Sequence, residues 1–169
     1  MHFSLSPTVI ADNARATAAF AALSADSNER RALSPILDPK RRGLLVAAVR
    51  NAFAETILQI APFVDFCRLD AETATVAPDH IEPDNDGEDA LMEVDIRLPK
   101  SLGSEAAWSI RRSLEEIVAQ KALSRLIAAV PEASGAADRF ALLASTSLSL
   151  LRSSLTIPPA SPLIRSPWP

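Results

Sequence analysis

The chain of 169 residues has no tyrosine, four glycines, two histidines and one cysteine, and only 5% of it is aromatic. Each scarcity excludes a class of function. With so few glycines there is no phosphate-cradling loop and no dinucleotide fingerprint, so nucleotide chemistry is not expected. His2 falls in what should be a frayed terminus and His80 in an acidic segment, so neither a catalytic triad nor a metal cluster has the converging residues it needs. Cys67 has no second cysteine to pair with and reads as a small buried hydrophobe in a chain made in a reducing compartment. A net charge of -4 and a pI near 5.2 leave no clustered basic face for nucleic acid. The opening residues lack a basic region, and Asp12 and Arg15 interrupt their apolar run, so neither a signal peptide nor a spanning helix is expected. The expectation is a non-enzymatic protein without cofactor, made in the cytoplasm and not inserted in a membrane.

What is present is aliphatic: 48% of residues are hydrophobic, and they are mostly Ala, Leu, Ile and Val, which suit closely packed helices. The length allows one domain with its own core, over residues 1–157. A central stretch sets the architecture. From Ala90 to Leu98 the pattern alternates, with Met92, Val94, Ile96 and Leu98 to one side and Glu93, Asp95 and Arg97 to the other, the period of a half-buried strand. After Pro99 and Gly103, Ser104 caps a long helix on which Ile110, Leu114, Val118, Ala122, Leu126 and Val130 form one i,i+4 row. Such a row drifts by about 40° per step, so the apolar stripe winds and the helix must touch different neighbours at its two ends. Its charges Arg112, Glu115 and Glu116 begin opposite the stripe, and by Leu123 and Ile127 the apolar side has moved round to where they were.

The remaining elements flank this one. Thr8 or Asp12 opens a first helix to Ser24, with Val9, Ala16, Phe20 and Leu23 along one side, and residues 26–39, with charge and two prolines, read as a helical turn and a loop. Asp38 and Pro39 then cap a helix carrying Leu45, Val49, Phe53, Ile57 and Ala61, which Pro62 ends. Residues 63–77 read as a strand, antiparallel to that at Ala90, making one β-hairpin over about 63–98. A last helix, Ala136 to Leu155, turns Phe140, Ala144, Leu148, Leu151 and Leu155 inward, and serines leave its other faces uncharged. Trp108 reads as a core or edge-of-core residue. The expected fold is α+β and mainly helical, with four principal helices, one antiparallel hairpin and an extended Pro-rich tail at 158–169.

Two segments invite a functional reading. Glu82, Asp84, Asp86, Gly87, Glu88 and Glu93 partly match the spacing of a calcium loop. Position 1 is Glu instead of Asp, Pro83 follows it, and the flanks read as strands, so a solvated acidic tip is favoured over a metal site. Such a tip, through Asp84 and Asp86, is an electrostatic contact for a basic surface. The tail carries Leu163, Ile164 and Trp168 among prolines, and Trp168 has no local core to join. It either docks on a partner or lies extended in solvent.

The order of features from Asp38 to Pro169 resembles a family of small structural proteins of tailed phages and prophages of gut bacteria. That order is helix, strand, acidic loop, alternating strand to Leu98-Pro99, long helix from Glu105 through Trp108 to Leu126, a further helix, and a tail ending Arg165-Ser166-Pro167-Trp168-Pro169. The resemblance implies a virion component of the head-to-tail connector or adaptor type, acting as copies in a ring beside other virion proteins. The winding row, including Leu123 and Ile127, the uncharged last helix and the tail are the expected contact surfaces. The alternatives are a small regulatory protein that binds a host protein through the acidic loop, and a divergent calcium-responsive module.

Overall fold

A computed structural model describes residues 1–68, 90–98 and 104–156. Its elements run β1 (His2–Leu5), α1 (Pro7–Ser24), α2 (Ser27–Leu37), α3 (Arg42–Gln59), β2 (Val64–Arg68), β3 (Met92–Ile96), α4 (Ser104–Ala128) and α5 (Ser134–Leu155). The mainly helical α+β expectation holds, with five helices instead of four and a third strand added to the sheet among the described residues.

That third strand corrects the frayed terminus. β1 pairs antiparallel with β3, which lies between β1 and β2, and His2 Nδ1 hydrogen-bonds Asp95 Oδ1 at 2.9 Å. Phe3 and Leu5 alternate inward beside Val94 and Met92, a period-2 signal too short to stand out from the sequence alone. β3 alternates as expected: Met92, Val94 and Ile96 are buried, and Glu93 and Asp95 are on the wetter face. β2 pairs antiparallel with β3 through an irregularity between Val64 and Phe66. The segment expected to join them lies outside the described residues.

α1 forms where expected, with Pro7 in its first turn and Ser6 as cap, but its apolar side is a different one. Ile10, Ala11, Ala14 and Ala18 are buried, whereas Val9, Phe20 and Leu23 are exposed. The reason is approach distance: the alanines let the backbone of α1 close on α3 and α4, an approach the larger side would prevent. The expected turn and loop after it is a full helix, α2. Asp26 caps it by accepting from the Asn28 and Glu29 backbone N–H groups at 2.9 and 2.8 Å, and Ala32, Leu33 and Ile36 bury one face. Pro35 near its end removes one donor, which burial of that face outweighs. Arg30 reaches back to the carbonyls of Ala22 and Ala25 at the end of α1.

Asp38 caps a 3-10 turn, Pro39–Arg41, that leads into α3. Leu45, Val49, Phe53 and Ile57 are buried as the row requires, and Ala61, past the end of the helix, is exposed. α4 then runs through the middle of the helices, packed on α5, α3 and α1. Its winding stripe meets this requirement: Ile110, Leu114 and Ile117 are buried near the start, and Leu123 and Ile127 towards the end. α5 returns along α4 with Phe140, Ala144, Leu148, Leu151 and Leu155 buried, and Ser124 Oγ of α4 donates to the Ala137 carbonyl at 3.0 Å. Arg139 clamps the start of α5 to α2 through both carboxylate oxygens of Glu29, each at 2.9 Å.

Candidate functional site

Because α1 turns its alanines inward, its larger residues are left beside α4. Val9 and Phe20 from α1 and Trp108, Arg111, Arg112, Glu115, Glu116 and Gln120 from α4 line a groove of about 750 Å³. Phe20 is 74% exposed and Trp108 is 64% exposed, so the edge-of-core reading of Trp108 is corrected. The Arg112 guanidinium lies 5.3 Å from the centre of the Trp108 ring, and Arg111 pairs with Glu115 at 3.0 Å. Gln120 is buried against the groove. Its Nε2 donates to Glu116 Oε1 at 3.0 Å, but its Oε1 has no hydrogen-bond partner among the described residues. An unmet acceptor in a buried position is unfavourable.

The outer face of α5 is a ridge. Leu142, Leu143 and Leu150 are exposed there, Leu142 by 68% and Leu150 by 66%. No charged residue occurs between Phe140 and Leu151. The hydroxyls around the leucines are already satisfied: Ser145 and Thr146 donate to the Leu142 carbonyl at 2.8 and 2.9 Å, Ser149 to Ser145 and Ser153 to Ser149 at 3.0 Å. Covering this ridge would strand none of these donors.

A smaller groove, of about 300 Å³, lies between α3, α4 and α5. It is crossed by the pairs Arg125 with Glu55 and Lys121 with Gln59, and burial pulls the Lys121 ammonium pKa down. These contacts fasten α3 to α4.

The expected interaction residues separate accordingly. Leu123 and Ile127 are fully buried, which corrects their assignment as contacts for a partner: α4 is surrounded by helices of its own chain, so the winding row is spent on the core. Glu93 stands in β3 between Ser4 and Arg68 in register, and half-buried. Glu82, Asp84, Asp86 and Glu88, like Leu163, Ile164 and Trp168, lie outside the described residues. Sequence reasoning missed Val9 and Phe20 as surface residues, Gln120, and the three exposed leucines. The leucine signal was available, since Leu142, Leu143 and Leu150 fall well away from the inward row of α5 on a helical projection.

No protein-family model, curated protein or solved structure significantly matches this chain. Among the described residues, no helix is long and apolar enough to cross a membrane, and no three His, Cys, Asp or Glu side chains gather as a metal site would require.

Proposed function

We propose that this chain is a non-enzymatic structural subunit of a multi-copy assembly, and specifically, following the resemblance in its order of elements, a connector or adaptor of the head-to-tail type in a phage particle. The observation that carries the general reading is the α5 ridge: exposed leucines on a face without charge, whose hydroxyls are spent on their own helix. Exposed apolar groups set among satisfied ones favour contact with another protein surface over solvent. A subunit that works as copies needs such a face, whereas a monomeric enzyme does not.

Sedimentation equilibrium of the purified chain tests this. Species heavier than the 18.1 kDa chain are expected, shifting with protein concentration. A strictly monomeric protein at high concentration would sink the reading. Finding the chain in purified particles beside other virion proteins is the expected result for the connector assignment, and its absence from every particle would overturn that part alone.

A further inference from the structure

We infer that the groove between α1 and α4 is the seat of this chain's own Pro-rich segment, residues 157–169. The segment turns back from the end of α5 and lays Leu163, Ile164 and Trp168 over Phe20 and Trp108.

Continuity of the chain selects this occupant. α5 returns along α4, and counting equal turns from the bond between Ser124 and Ala137 brings Leu155 level with Ala106, about half a turn from Trp108. Residues 157–169 therefore leave the helices at the Trp108 end of the groove. As a polyproline-type segment those thirteen residues reach about 40 Å, at ~3.1 Å each. Rounding α4 takes about 10–12 Å of that, and the groove follows α4 for about 18 Å from Trp108 to Gln120, so the segment spans it with residues to spare. A tethered segment is present at about millimolar effective concentration, against which any separate partner has to compete.

The chemistry of the groove suits this segment in three respects. Its walls are helices, whose backbone groups are bonded within themselves, so an extended occupant finds no strand edge to pair with. Five of the thirteen residues are prolines, which have no N–H to leave unpaired there. Exposed aromatic side chains such as Phe20 and Trp108 are the surfaces on which Pro-rich segments dock. Charge agrees as well: Glu116 is exposed in the groove and meets no cation among the described residues, and the one charged side chain of the segment is Arg165.

Tryptophan fluorescence of the full chain tests this. With Trp108→Phe, which keeps an aromatic wall, Trp168 is the sole tryptophan. Its emission should be blue-shifted, and less quenched by acrylamide, relative to a synthetic peptide of residues 157–169, at concentrations where the chain is monomeric by sedimentation. Adding Phe20→Glu, or separately Val9→Glu, should return both signals to those of the peptide. Both positions are exposed on α1, and unchanged circular dichroism verifies that each variant folds. Peptide-like emission before either change would overturn the inference. So would shielding that neither groove change removes, which puts Trp168 elsewhere on the molecule, or shielding that disappears on dilution to monomer, which puts it on a neighbouring copy. The α5 ridge is untouched by these variants, so the structural reading stands or falls separately.

Discussion

At the scale of single residues, Gln120 is a local cost to stability. Its Oε1 is buried without a partner among the described residues, and a buried unmet acceptor costs about 1–3 kcal/mol, while its Nε2 bond to the exposed Glu116 returns little. Gln120→Met keeps the volume and removes the acceptor, so the isolated chain should melt about 2–4 °C higher for each kcal/mol recovered. Cys67 gives a second prediction. Burial pushes its thiol pKa above the ordinary 9.0, so iodoacetamide should alkylate the folded chain more slowly than the urea-unfolded chain, with a pH midpoint displaced upward. The linkage has one sign: a raised folded pKa means stability that is present below the ordinary thiol value and lost as pH rises through the raised one. A midpoint equal to that of the unfolded chain would show the thiol to be in water.

At the scale of elements, α2 shows how a short helix survives an internal proline, Pro35. Its start is fixed by the Asp26 carboxylate, which accepts from two backbone N–H groups that would otherwise lack partners. Asp26→Ala should cost about 1 kcal/mol, lowering the melting temperature by about 2–4 °C. The sheet was partly readable, since β3 alternates over its whole length, but β1 is four residues long and its alternation is visible only once β3 is beside it. α1 was readable as a helix and misread as a face. Periodicity offered Val9, Phe20 and Leu23 as well as Ile10, Ala14 and Ala18, and nothing local distinguishes them. The choice belongs to the neighbours, which accept the smaller side chains.

At the scale of the whole molecule, the two readings of how this chain meets a partner differ in their response to salt. A contact through the α5 ridge removes apolar surface on a face that carries no charge between Phe140 and Leu151, so self-association should change little between about 0.1 and 0.5 M salt, where screening is already strong. It should also show a negative heat-capacity change by calorimetry. Binding through the acidic segment at Asp84 and Asp86 would instead weaken steeply as salt rises. Steep loss of self-association over that range would move the contact away from α5.

The sequence alone was enough for the helical character, the alternation of β3, the inward row of α5 and the winding of the apolar stripe on α4, because each follows from a periodicity of one segment and the angle between its neighbouring side chains. It could not decide whether a given apolar residue is spent inside the chain or left outside. Leu123 and Ile127 looked available and are buried, and Trp108 looked buried and is exposed. Those outcomes depend on how closely two helices approach, and only the tertiary packing of α1, α3 and α5 around α4 determines that distance.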